Sequence, residues 1–261
     1  ILGWGASGIA LGTVIAEWTT VLLAAWLVYR ELNQRKLLGD DFWPRTKIMD
    51  WPALLKTASS NLDIMMRTLI LVFSFGFFIN QSAKFGDTIL ASNHILLQLI
   101  SFSAFFLDGY AFVVEALVGT SIGAKRRDIF DLAVRRSTNL AIMTAIFLAL
   151  AIVLFGHFAV MLLTDISAVR LAANELLPLS AIYVLFSFAA FQLDGIFIGA
   201  SFTRRMRDAA VMSIVVYLFA WWALSDPFGI EGLWGAMIVY IVARAIALLL
   251  FYPSLRRSVS A

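Results

Sequence analysis

The chain has no cysteine and only two histidines, His94 and His157, among its 261 residues. Without cysteine there is no disulfide, no thiolate nucleophile and no cysteine-ligated metal. No His-Glu-x-x-His run occurs, so the helical zinc-protease pattern is missing too. Charge is also scarce. Asp, Glu, Lys and Arg make up 14% of the residues, against about 25% in soluble domains. That is too little to cover a compact globule with polar surface.

In place of charge the chain is 61% apolar, with a mean hydropathy of +0.88. Lipid is the solvent that suits this composition. In lipid only helices and closed barrels satisfy every backbone polar group. Barrel strands would show as alternating segments of about 10 residues, and the apolar runs here are far longer. The expected class is therefore all-α and integral to the membrane, with about seven transmembrane helices. The pI of 9.3 does not point to nucleic acid, because the basic residues fall in short clusters between the apolar runs.

The spacing of apolar and charged residues predicts helices over 5–29, 51–80, 88–122, 138–163, 169–200, 208–224 and 232–252. Pro52 suits a first helical turn. Pro178 cannot donate to the carbonyl of Asn174 and predicts a kink. Asp226, Pro227 and Gly229 predict a turn. The run 88–122 would be about 52 Å long at 1.5 Å per residue, against a hydrocarbon core of about 30 Å. It should bend or project beyond the membrane.

Orientation follows from counting. With the charged stretch 30–50 in the cytoplasm, 16 of the 20 Lys and Arg residues lie on the cytoplasmic side. Lys84 and Arg170 lie outside, and Arg67 and Arg244 lie within helices. This bias puts the N-terminus outside and the C-terminus in the cytoplasm. The chain opens Ile-Leu-Gly-Trp inside an apolar run, which suggests a fragment with sequence missing upstream.

Ionisable groups at membrane depth are costly and mark function by default. In the second helix Lys56, Ser60, Asp63, Arg67 and Ser74 share a stripe. Asp63 and Arg67 stand at i,i+4 and can pair. Such a pair is either an internal neutralising device or a water-facing pair that exchanges partners during transport. In the third helix His94, Gln98, Ser101, Phe105, Asp108, Phe112 and Glu115 fall on one face. Either that face lines a cavity, with the phenyl rings open to flat or cationic ligands, or it hydrogen-bonds neighbouring helices. Asp108 and Glu115 lie far down the helix, where basic loop residues could pair with them. The fifth helix adds Gln192 and Asp194, and the last adds Arg244, which needs a partner or water. A weak echo links Leu107-Asp108-Gly109 to Leu193-Asp194-Gly195. Each is followed by Gly-Ala and a basic cluster, and transporters often carry internal repeats.

Several stretches together resemble a known family. Ala116-Leu117-Val118-Gly119-Thr120-Ser121-Ile122-Gly123-Ala124 is similar to the Val-Gly-x-x-Leu-Gly-Ala motif of multidrug and toxic compound extrusion (MATE) transporters, with Thr120 where Gln is common. Leu193-Asp194-Gly195-Ile196-Phe197-Ile198-Gly199-Ala200, continuing through Met206-Arg207-Asp208-Ala209, resembles the tenth-helix pattern of the DinF-like branch. Asp63-Ile64 with Arg67-Thr68-Leu69, Ala111-Phe112 with Glu115, and Gly232-Leu233-Trp234 with Ala243-Arg244 are similar to that branch as well.

The resemblance implies a twelve-helix antiporter of two six-helix lobes in the bacterial cytoplasmic (inner) membrane. Residues 1–50 would then hold the last helix of the N-terminal lobe (5–29) and a cytoplasmic linker. Residues 51–261 would be the C-terminal lobe, whose partner, the N-terminal lobe, is missing here. The implied activity is secondary active efflux of amphipathic or cationic small molecules, coupled to H+ or Na+ without a cofactor or metal. It is not an enzyme's activity, and no nucleic acid is involved. A flippase or exporter of lipid-linked or other amphipathic metabolites is the alternative within the superfamily. The coupling carboxylate of the branch belongs to the first helix, so no residue here inherits that role. The residues expected along the pathway are Asp63, Arg67, His94, Gln98, Ser101, Asp108, Glu115, Gln192, Asp194 and Arg244.

Overall fold

The computed structural model describes residues 5–36 and 49–259, which are almost wholly helical. The helices are α1 (Gly5–Gln34), α2 (Trp51–Ser82), α3 (Asp87–Gly123), α4 (Arg127–Leu163), α5 (Ser167–Gly199) and α6 (Thr203–Ser258), with a 3₁₀ turn at Ala83–Phe85 between α2 and α3. All six helices are long and apolar enough to cross a bilayer. The chain divides into two compact units, Ile1–Thr57 and Ala58–Ala261. The first contains α1 and the opening turns of α2.

α6 is a helical hairpin. A straight helix of 56 residues would run about 84 Å. Here Gly229 takes φ 57° and ψ −128°, a conformation open essentially to glycine alone, and the chain turns back. The rings of Tyr217 and Tyr240, on opposite arms, stand 5.3 Å apart. The turn expected around Asp226, Pro227 and Gly229 is therefore present, and among the described residues the long apolar helical segments number seven.

In the second unit α5 is the central helix, with α3, α4 and α6 packed around it. The α3–α5 interface depends on small residues. A Cβ on Gly195 would lie 2.3 Å from the carbonyl oxygen of Ala111, and one on Gly199 would lie 2.3 Å from that of Glu115. The i,i+4 step on each helix matches in the same direction, so α3 and α5 run parallel with their backbones nearly touching. These two helices carry the echoed sequence, and they also end alike. Lys125 and Ser201 take positive φ, 54° and 57°. The amides of Arg126 and Phe202 then reach back to Ser121 O and Phe197 O, each at 2.9 Å. Both ends are left-handed caps of the Schellman type.

α3 is continuous from Asp87 to Gly123, and α5 runs on through Pro178. One expectation changes: α4 begins at Arg127, not near 138. Its first turns carry five charges, but Phe130, Ala133 and Ser137 are buried at helical spacing, which is enough to hold an amphipathic start. Arg256 of α6 pins this segment by a two-pronged bond to Asp131, at 2.8 and 2.7 Å.

Candidate functional site: a buried arginine–aspartate cluster

α2 is attached to the rest of its unit in two different ways along its length. Its later half is held by aromatic contacts. Phe77 meets Tyr217 and Trp221 at 5.8 and 5.0 Å, and Phe78 meets Trp234 at 5.0 Å. A polar clasp closes the same end: Asn93 donates to Ser82 Oγ at 2.8 Å, and Trp234 Nε1 donates to Asn93 Oδ1 at 3.0 Å. Its earlier half is held by charge. Asp63 accepts from Arg207 at 2.7 Å and from the Thr203 hydroxyl at 3.4 Å, while Arg67 donates to Asp194.

The i,i+4 pairing of Asp63 with Arg67 is therefore not the one formed. Each side chain reaches a different helix instead. Asp194 lies in the packed centre of the unit, where a charge left unpaired is most costly. Arg67 goes to that carboxylate and Asp63 turns to α6. Ser74, expected on the same polar stripe, is buried; its hydroxyl bonds Ile70 O, and Tyr217 donates to its carbonyl at 3.5 Å.

Asp194 is the centre of the cluster. Arg67 and Arg244 both donate to its Oδ2, so Arg244 finds the partner its position demanded. The Arg244 and Asp194 side chains are 6% and 8% exposed. Two guanidinium groups on one carboxylate leave a positive charge uncompensated. Asp108 of α3, partly buried, lies within electrostatic range of Asp194, Arg67 and Arg244. Asp108 thus joins this cluster and not the basic loops, whose Arg126 and Arg256 pair with Asp128 and Asp131. Among the described residues Asp194 Oδ1 and Arg67 Nε are buried without a hydrogen-bond partner. A buried ion group with unfilled bonding capacity is poor stabilising design and a mark of function.

The remaining expected residues divide. His94, Gln98 and Ser101 are exposed, as are Phe105 at 74% and Phe112 at 67%. Glu115 is partly exposed one face along. Together they form an uncovered polar and aromatic strip on α3 that leads to Asp108. Gln192 is not on it: it is buried against Ser137 of α4, with Oε1 at 3.4 Å from the hydroxyl. Arg207 stands out from sequence only as part of a motif, and Thr203 not at all; neither is expected in the site, because the basic cluster after α5 looks like a connecting loop. The signal was that a helix starting at Thr203 carries Arg207 one turn on.

The comparisons with known proteins agree with this architecture. The MatE family profile matches residues 64–222. DNA damage-inducible protein F of Escherichia coli (strain K12) is 32% identical over 255 residues, covering 92% of this chain and 51% of that protein. Protein DETOXIFICATION 44, chloroplastic, of Arabidopsis thaliana is 24% identical, covering 95% of this chain and 46% of that protein. The chain thus spans about half the length of the curated relatives it matches. In fold it is similar to the Vibrio cholerae MATE transporter VcmN in the bent form, with a TM-score of 0.80 at 19% identity over 98% of this chain and 57% of that one. A multi-pass helical bundle with paired charges at membrane depth, matched by the family profile over more than half its length, belongs to the MatE family of membrane transporters.

Proposed function

We propose that the chain forms one wall of a secondary active exporter of amphipathic or cationic compounds, working by alternating access and coupled to H+ or Na+. Residues 51–261 serve as the C-terminal lobe, and 1–50 as the last helix of the preceding lobe with its linker. The division into units at Thr57 and the roughly double length of the relatives support this organisation. The clustering of Lys and Arg at one end of the helices supports a cytoplasmic C-terminus and an external N-terminus.

The observation that carries the proposal is Asp194, held by two arginines beneath the exposed polar and aromatic strip of α3. Each charged group that a departure of α2 would separate has a second partner in reach. Asp194 keeps Arg244 if Arg67 leaves. Arg207 keeps Asp208, at 2.8 Å, if Asp63 leaves. Asp63 and Arg67, at i,i+4, can then take each other. The charge-held half of α2 can therefore detach without stranding a buried ion, and that is what a moving wall of a transport cavity requires. Asp108 carries no ion pair of its own among the described residues and is the group on this wall most open to a cation or a proton.

The test is efflux from cells that lack their own drug exporters and express the full coding sequence, with a cationic dye and, separately, a lipid-linked substrate. Dye efflux that falls in Asp108→Asn supports the reading. Transport of the lipid-linked compound alone would replace it with a flippase.

A further inference from the structure

We propose that the groove between α3 and α4 is a binding site for an anionic phospholipid, with the phosphate held by Arg136 and an acyl chain lying along the groove. The groove has a volume of about 430 Å³, within the range of built ligand sites. Its walls are almost wholly apolar, formed by Val113 and Leu117 of α3 and by Ile129, Leu132 and Leu140 of α4. Arg136 is the one charged residue in its lining. It is exposed, and among the described residues no carboxylate pairs with it. Other exposed arginines at this end of the bundle are occupied, Arg126 by Asp128 and Arg256 by Asp131.

Depth supports a lipid. Arg136 lies 27 residues before Leu163, the last residue of α4, which is about 40 Å along the helix. A hydrocarbon core is about 30 Å thick and the bilayer with its headgroups about 40–45 Å. With Leu163 at the opposite interface, Arg136 meets the headgroup layer, Leu140 lies one turn deeper, and Ile129 and Leu132 lie on the headgroup side of Arg136. A guanidinium at that level, with the deeper apolar part of the groove below it, complements a phosphate above a hydrocarbon tail. The other polar side chains of the groove are satisfied within the protein. Ser137 donates to the backbone carbonyl of Tyr110 at 3.2 Å, and the Tyr110 hydroxyl accepts from Thr144 at 2.9 Å. They ask nothing of the occupant, which leaves Arg136 to choose it.

The test is native mass spectrometry of the full coding sequence, purified and offered phosphatidylglycerol against phosphatidylethanolamine. The wild type should retain phosphatidylglycerol in preference. Arg136→Gln should lower that preference about fivefold, the effect of one basic residue near an anionic membrane surface. Arg136→Lys should keep most of it, and Leu140→Trp, which fills the groove, should reduce retention of both lipids. Arg204→Gln removes an exposed charge of the same sign elsewhere at this end and should change nothing. Equal retention in Arg136→Gln and wild type would overturn the proposal. So would an equal loss in Arg204→Gln, which would mean diffuse charge, or displacement of the lipid by a cationic dye, which would make the groove a substrate site.

Discussion

Arg244 and Asp194 form an ion pair that is almost wholly shut from solvent, on helices 50 residues apart in sequence. Arg67 joins the same oxygen from a third helix. Breaking such a group from one side is far more damaging than replacing all of it, because a lone buried ion has no compensation. Asp194→Asn leaves two guanidinium groups facing each other and should cost about 3–5 kcal/mol. Replacing Asp194, Arg67 and Arg244 together with Leu, Met and Met should recover much of that stability while leaving transport lost. Thermal unfolding of the purified proteins beside dye efflux separates the two effects.

The Asp63–Arg207 pair should behave differently. Arg207 is one-third exposed while the Asp63 side chain is 9% exposed, so the pair is partly screened and its coupling should fall below the about 3–5 kcal/mol of a fully buried pair. Asp63→Asn should therefore lower the thermal midpoint less than Asp194→Asn does. If partner exchange operates, it should still change the rate of efflux, because Arg67 then loses its alternative carboxylate. A double-mutant cycle with Arg207→Gln, read in both assays, measures this.

Packing of the two echoed motifs predicts opposite outcomes for the same substitution. Gly195→Ala puts a methyl group 2.3 Å from the backbone of α3, and the helices must move apart. A loss of about 1–3 kcal/mol is expected. Gly109→Ala meets nothing within 4 Å and should be neutral or stabilising by up to about 1 kcal/mol through helix propensity. Thermal midpoints of the two variants check this.

Asn93 is buried and spends its amide on Ser82 and Trp234. Asn93→Leu leaves the Trp234 indole N–H without an acceptor in the centre of the bundle, at a cost of about 1–3 kcal/mol. The expected sign is a blue-shifted tryptophan emission together with a lower thermal midpoint.

The helices were legible because apolar runs longer than a bilayer have few alternatives in lipid. The start of α4 was not. Five charges between Arg127 and Arg136 mask the buried spacing of Phe130, Ala133 and Ser137, and the stabilising bond to Arg256 comes from 125 residues away. Asp63, Arg67, Asp194 and Arg244 stood out from sequence by their depth alone. Their pairing did not, since the local i,i+4 option competes with partners supplied by tertiary packing. The partner of Gln192 was not legible for a related reason. Helical phase gives a direction around one helix but not which neighbour stands there, and α4 covers that side.

The central claim is that the polar strip of α3 faces a water-filled pathway and not lipid. Because this chain contains no cysteine, single cysteines can be introduced on it within a full coding sequence freed of any others. The decisive measurement is labelling of Gln98→Cys and Ser101→Cys in native membranes by a membrane-impermeant maleimide, with Phe147→Cys on the exposed apolar face of α4 as reference. The account predicts rapid labelling at 98 and 101, slowed by a transported dye, and little labelling at 147. Labelling at 98 and 101 as slow as at 147 would place the strip in lipid and contradict it.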